Sequence, residues 1–390
     1  MAQITKDGYT PRVPGRASAR GQAVPRFPGM DRPSDRTASA PKGITPAGFG
    51  KVLATFVLQA SLLFAIACGP VGAAAGETLA KVKARGTLRC GVSEGIAGFS
   101  LPDASGRWAG LDADFCRAVA AAALGDANKV KFVPLRASAR FPALRAGSID
   151  LLAASATWTL AREAVLKVQF AGVLYYDGQG FMVSVTSGVK TPADLKGATV
   201  CVHKGTTSAQ NLADFSASRA LDIAPLAIDS PVETADAFFA GKCRALSSDA
   251  SQLEADRLRA PGGPQGYAIL PERISKEPLG PAVRAGDDDW FALVQLVLFV
   301  LIGSEEAGVT RDNVRERMND PTLQRALGAG EEFSKALGIE AGSGLRILQS
   351  VGNYGEMFER NLGRDSPLKI QRGLNQLWTQ GGLMYSPPLH

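Results

Sequence analysis

The chain has 390 residues, 45% of them apolar, 21% charged and 7% aromatic. That length and composition suit one large or two ordinary globular domains. They exclude a wholly disordered chain, a collagen-like repeat and a cysteine-dense mini-scaffold. The formal charge of +6 is unevenly placed: residues 1–51 hold nine Lys/Arg and three Asp, residues 52–75 hold no charge, and residues 76–390 balance 34 basic against 34 acidic side chains. Phosphate binding needs a surplus of positive charge on the folded body, so a nucleic-acid partner is not expected.

Residues 1–50 are rich in Pro, Gly, Ser and Arg and read as a disordered basic extension, with Met30 as an alternative start. Lys51 is followed by an apolar stretch at 52–67 and by Ala73 and Ala75, an A-x-A arrangement. Basic flank, apolar core and small-residue site together predict a cleavable signal peptide over 51–75, and hence a periplasmic protein. The apolar core is shorter than the roughly 20 residues a spanning helix needs. A retained anchor and a lipid on Cys68 are the lesser readings.

Beyond residue 76, short β-like runs alternate with helical ones. Strands are predicted at 87–92, 129–135 and 149–152, and helices at 111–124 and 140–146. A second cycle has strands at 181–185, 199–202 and 244–246 and helices at 207–216, 234–240 and 251–258. Residues 290–301, 311–318, 331–337, 345–359 and 371–378 read as helices. The apolar run at 291–302 is about 12 residues, the length of a buried helix rather than a membrane span. Asp287, Asp288 and Asp289 precede it, where the helix dipole favours negative charge.

Alternation of this kind predicts an α/β protein of the periplasmic-binding type: two α/β lobes, joined by a two-segment hinge, with a cleft between them. The first lobe takes residues 76–180 and 284–390, the latter mostly helical; the second takes 181–283. Besides Cys68 there are four cysteines, Cys90, Cys116, Cys201 and Cys243. An even number behind a signal peptide suggests disulfides, with three connectivities open. Cys90–Cys116 and Cys201–Cys243 are favoured because each pair stays within one proposed lobe; buried free thiols are the alternative. No C-x-x-C pair occurs and the only histidines are His203 and His390, so neither a metal site nor a cofactor is expected.

Several stretches carry a family resemblance. They include Gly98-Phe99-Ser100, Asp114-Phe115-Cys116-Arg117, Thr157-Trp158-Thr159-Leu160 and Tyr175-Tyr176-Asp177-Gly178-Gln179-Gly180. The most specific are Ile274-Ser275-Lys276-Glu277-Pro278-Leu279-Gly280-Pro281 and Val351-Gly352-Asn353-Tyr354-Gly355-Glu356. Over residues 77–390 the chain resembles the bacterial extracellular solute-binding proteins of family 3, and within them the group serving ABC importers of L-amino acids. The resemblance implies a monomeric protein that closes on an L-amino acid and delivers it to permease subunits in the inner membrane.

The resemblance also implies a ligand set. Arg162 matches the carboxylate-binding arginine, whose planar fork gives two parallel charge-assisted bonds. Thr157 and Ser155 match polar positions in the same loop. Gly205, Thr206 and Thr207 open a helix whose N-terminus can hold a carboxylate. Asp249 matches the partner of the ligand ammonium, and Phe99 an aromatic covering its apolar part. Each also has a plainer role available: a surface arginine, an N-cap, a core phenylalanine.

Two departures bear on specificity. Ala154-Ser155 stands where the narrower group has an Arg-Asn pair, and Ser93-Glu94 where it commonly has Asn-Thr. Loss of a cleft cation and gain of Glu94 together predict weaker binding of glutamate and aspartate. The competing functions are a cleft-based dehydratase-like enzyme, for which Glu94 is the only unusual candidate acid or base, and a sensor module of the same fold. No nucleophile-elbow, zincin or P-loop motif is present, and no enzymatic activity is expected.

Overall fold

A computed structural model of the chain describes residues 77–317, 319–326 and 331–388. The extension 1–50, the signal segment 51–75 and Cys68 lie outside them. In chain order the first elements are α1 (Glu77–Arg85), β1 (Leu88–Val92), α2 (Leu111–Leu124), β2 (Val130–Pro134), α3 (Arg140–Arg145), β3 (Leu151–Leu152), α4 (Leu160–Leu166), β4 (Val168–Phe170) and β5 (Tyr175–Asp177). Then come β6 (Gln179–Ser184), β7 (Thr199–His203), α5 (Thr207–Ser218), β8 (Ala224–Ile228), α6 (Pro231–Phe239), β9 (Ala245–Asp249), α7 (Ala250–Leu258) and β10 (Tyr267–Ile269). The chain returns through β11 (Glu277–Leu279) and β12 (Ala282–Arg284) to α8 (Asp288–Glu306), α9 (Ser343–Val351) and α10 (Tyr354–Asn361).

Two five-stranded sheets result, one per lobe. The first has the order β2-β1-β3-β12-β4, the second β8-β7-β9-β6-β10. In each, four strands run the same way and one runs against them: β1 pairs in parallel with β2 and β3, and β7 with β8 and β9, while β12 is antiparallel to β3 and β4, and β6 to β9 and β10. Buried strands with apolar residues on both faces explain this layering. Phe181 and Val183 face one core of the second lobe while Met182 faces the other; Val200 and Val202 are likewise opposed to Cys201. In the first lobe Leu151 and Leu152 divide between the two faces in the same way.

Two chain crossings join the lobes, and they pair with each other. β5 and β11 form an antiparallel ribbon with Asp177 opposite Glu277 and Tyr175 opposite Leu279. The C-terminal segment grips this ribbon: the Asn375 side chain accepts from Tyr176 N at 2.7 Å and donates to Tyr176 O at 3.1 Å. The Tyr354 hydroxyl donates to Leu174 O at 3.0 Å.

The cysteines form Cys90–Cys116, tying β1 to α2, and Cys201–Cys243, tying β7 to the turn before β9. The apolar run at 291–302 lies inside α8, whose first turn is capped by Asp287 accepting from Trp290 N at 3.1 Å. No helix among the described residues is long and apolar enough to cross a membrane.

Two helical expectations change. Residues 345–359 make two helices, because Gly352 leaves the helical region at φ +78° and Asn353 starts α10 with a capping box to Glu356. Residues 371–378 are not one helix. They hold a single turn at Gly373–Asn375 and the start of another at Trp378–Gln380, because the Asn375 side chain is committed to the hinge strand.

Candidate functional site

The carboxyl ends of parallel strands in both sheets face the same gap, which is where open α/β sheets place ligands. From the first lobe, the loop after β3 brings in Ser155 and Thr157, and α4 brings in Arg162. From the second, the loop after β7 supplies Thr206 and Thr207, and the end of β9 supplies Asp249. These six residues line one chamber. About 30 Å³ of it is open to the centre of a water-sized sphere, room for about two or three waters, so the chamber is narrow.

Local structure explains the aim of each side chain. Ser155 has φ +48°, a left-handed conformation rare for a residue other than glycine. It is held there by Asp112, whose Oδ2 accepts from Ser155 N at 2.8 Å and from its hydroxyl at 2.9 Å. Burial lifts the Asp112 pKa to about 6, against the pull of those two bonds. Arg162 sits in the first turn of α4, which Thr159 caps by accepting from Arg162 N at 3.1 Å. Its guanidinium donates to Thr157 O at 2.5 Å and lies 5.0 Å from the centre of the Phe141 ring. Burial lowers its pKa, while Glu277 and Asp249 raise it. It forms no ion pair with a side chain among the described residues, which leaves charge available to a ligand.

Across the chamber, the Thr206 hydroxyl donates to His203 O at 2.6 Å and does not cap α5. The first backbone N–H groups of α5 therefore lack that side-chain acceptor. Asp249 has a buried Oδ1 with no partner among the described residues. Burial, and then the negative charges of Asp177 and Glu277, push its pKa well above the usual carboxylate range. It is a buried carboxyl held toward its neutral form, against the pull of Arg140 and Arg162.

Three expected residues are not brought into the chamber. Phe99 is 1% exposed and packs edge-on against Tyr175, with ring centres 5.4 Å apart. The turn through Gly98, at φ +82°, points it into the first-lobe core, and Ile96 from the same loop becomes the apolar wall. Gly205 is a backbone device. Its φ of +77° makes the turn into α5, and it lies against Ser138 of the other lobe. Glu94 reaches Arg136 at 3.6 Å rather than lining the chamber, and Arg136 also holds Asp229 of the second lobe at 2.9 Å.

Sequence reasoning missed Arg140, His203 and Glu277. Arg140 begins α3, is 8% exposed, lines the chamber and has an Nε without a partner among the described residues. Burial and the nearby Arg162 lower its pKa to about 10. Ala154, the supposed lost cation, is fully buried in a hydrophobic cluster. The cleft's second cation comes instead from a different segment. Its only sequence signal is an arginine opening a short helix after a parallel strand.

His203 ends β7, and its Nε2 donates to Asp229 O at 3.1 Å, a carbonyl that can only accept. Burial, with the charge of Arg140, lowers its pKa to about 4. Glu277, on hinge strand β11, is 1% exposed. One oxygen accepts from Thr157 at 2.6 Å and Thr207 at 2.9 Å, the other from Asn211 and Ser275 at 2.6 Å each. It joins both lobes and the hinge. Among the described residues, no group of three potential ligating side chains could hold a metal ion.

Comparison with known proteins places this geometry. Residues 88–311 match the family model of bacterial extracellular solute-binding proteins, family 3. The general L-amino acid-binding periplasmic protein AapJ of Rhizobium johnstonii is 46% identical over 85% of this chain and 98% of its own. The glutamate/glutamine/aspartate/asparagine-binding protein BztA of Rhodobacter capsulatus is 45% identical over 83% of this chain and 96% of its own. Among solved structures, a periplasmic binding protein of an ABC transporter from Brucella ovis, with glutathione bound, superposes with a TM-score of 0.77. It is 44% identical and covers 80% of this chain and 99% of its own.

Proposed function

The chain belongs to the bacterial extracellular solute-binding proteins, family 3, and from that premise we propose that it captures L-amino acids in the periplasm for an ABC importer. Its relatives are binding proteins rather than enzymes. The observation that carries the reading is one chamber with an unpaired arginine, Arg162, from one lobe and a partnerless carboxylate oxygen of Asp249 from the other, among the described residues. An α-amino acid is a zwitterion, with opposite charges one carbon apart. Its carboxylate takes the Arg162 fork and the N–H groups opening α5. Its ammonium supplies Asp249 with a counter-charge at contact and brings that carboxyl back toward the ionised form.

Arg140 sets the side-chain preference. A buried guanidinium with an unpartnered Nε favours an acceptor two or three carbons beyond the α-carbon. Carboxylates and amides provide one; aliphatic side chains do not. We therefore assign glutamate, aspartate, glutamine and asparagine as the favoured class, which reverses the expectation drawn from Ala154 and Glu94. The Rhodobacter relative is named for those four ligands. Export through a cleavable signal at 51–75 and transfer of the ligand to permease subunits complete the proposal.

Competition calorimetry tests it. Glutamate and glutamine should displace each other and outcompete arginine and leucine by about tenfold or more. Arginine outcompeting glutamate overturns the assignment. Replacing Arg140 by Met should cost glutamate about 2 kcal/mol or more, while alanine binding changes little.

A further inference from the structure

Neither Glu277 nor Asn211 lines the chamber, yet the two meet just behind it. A carboxylate is buried only where donors offset the loss of water, and the donors to Glu277 come from both lobes. Its strand, β11, is laced to the first lobe. Trp158 N donates to Pro278 O at 2.7 Å, Gly280 N donates to Ala156 O at 3.0 Å, and Thr157 bridges Leu279. The Thr157 hydroxyl, donating to Glu277 at 2.6 Å, completes that lacing. From the second lobe α5 brings Thr207 and Asn211, four positions apart and so on one face of the helix. They donate to the two oxygens of Glu277 at 2.9 and 2.6 Å. The hydroxyl oxygens of Thr157 and Thr207, one from each lobe, are 3.1 Å apart across this carboxylate. Parting the lobes draws α5 away and takes two of the four donors from a buried charge.

We propose that Glu277 is the positioning residue for closure, a buried latch on the hinge that receives the Thr207–Asn211 face of α5 and sets the balance between open and closed forms. The inference rests on the amino-acid reading of the chamber and adds the regulation of that site. The latch sits outside the chamber, so it scales the affinity for every ligand by one factor and leaves the choice among side chains to Arg140. It is complete only when the lobes meet, after the ligand has entered. It therefore slows release and does not change the rate of capture.

The test is made at Asn211, which is half-buried on α5, so that substitutes of its size or smaller keep the fold. Calorimetry and stopped-flow binding are run on the purified protein with L-glutamate and L-glutamine. Asn211→Ala removes one donor and should weaken both ligands by about tenfold, with the dissociation rate rising and the association rate constant to within about twofold. Asn211→Asp, the same size, sets a second carboxylate against Glu277 and should weaken both by about a hundredfold. Adding Glu277→Gln to Asn211→Asp exchanges the amide and the carboxylate. Affinity should then return to within about fivefold of wild type, a rescue that a packing role for either side chain would not give. Wild-type affinity in Asn211→Ala, a loss confined to one ligand, a change in the association rate alone, or a double variant no better than Asn211→Asp overturns the latch. With each of these, glutamate binding by the wild type leaves the amino-acid reading standing. A wild type that binds no amino acid overturns that reading and the latch together.

Discussion

Arg162 and Asp249 lie 87 positions apart in the sequence and meet only because two sheets present their strand ends to one gap. Removing Arg162 leaves a bound carboxylate without its charged partner, a loss of several kcal/mol in a site that admits few waters. Arg162→Ala should therefore weaken amino-acid binding by about a hundredfold or more in calorimetry. Retention of wild-type affinity would show that the α5 N-terminus alone holds the carboxylate. His203 gives a pH prediction. Its folded pKa of about 4 lies below the unfolded value of about 6.5, so the unfolded chain binds the extra proton between those values. Its contribution is complete above pH 6.5 and declines as pH falls toward 4. His203→Asn should remove that acid-labile component, about 3 kcal/mol, from denaturant-melt stabilities compared at pH 7 and pH 4. Identical pH slopes for the two proteins would place the imidazole in contact with water. Arg162 and Asp249 could be picked out of motif stretches, but Arg140 could not. A lone arginine at a short helix start resembles any surface cation until folding buries it.

At the scale of elements, the sequence shows most clearly where a single period dominates. The Ala-rich α2 and the apolar α8 are legible because most side chains on them are buried. The break between α9 and α10 was missed because the apolar positions on its two sides continue one helical pattern, and only Gly352-Asn353 interrupts it. Asn353 is itself buried and used at both ends of its amide. Its Oδ1 accepts from Glu356 N at 2.9 Å and its Nδ2 donates to Val309 O at 2.8 Å. Asn353→Ala should cost about 2 kcal/mol in a denaturant melt, a cap plus an orphaned carbonyl. A cost below about 0.5 kcal/mol would mean that the capping box is not formed. The disulfides close loops with separations of 26 and 42 residues. Loop-closure entropy assigns each about 3–4 kcal/mol, so either Cys-to-Ser pair should lower stability by that order.

For the whole molecule, two lobes, a paired hinge ribbon and a narrow chamber describe a device that works by closing. Alternating elements made the α/β class legible. The cleft itself was not, because its walls come from several loops and helix starts that no local pattern links. Closure has a side-chain signature at its rim, where Arg136 bridges Glu94 of one lobe and Asp229 of the other. Since Arg136 is 59% exposed in its side chain, the pair is worth no more than about 1 kcal/mol. Arg136→Ala should weaken ligand binding by no more than about fivefold, an effect that fades at high salt.

The central claim is that an L-amino acid, held by its two charges, closes this cleft. The most direct measurement is a thermal-shift series with the twenty amino acids on the purified protein and on Arg162→Ala. A ligand at about a hundred times its Kd adds about 2.7 kcal/mol, so glutamate and glutamine should raise the melting temperature of the wild type by several degrees and leave Arg162→Ala unmoved. A panel in which no amino acid shifts the wild type, or in which the variant responds as the wild type does, contradicts the account.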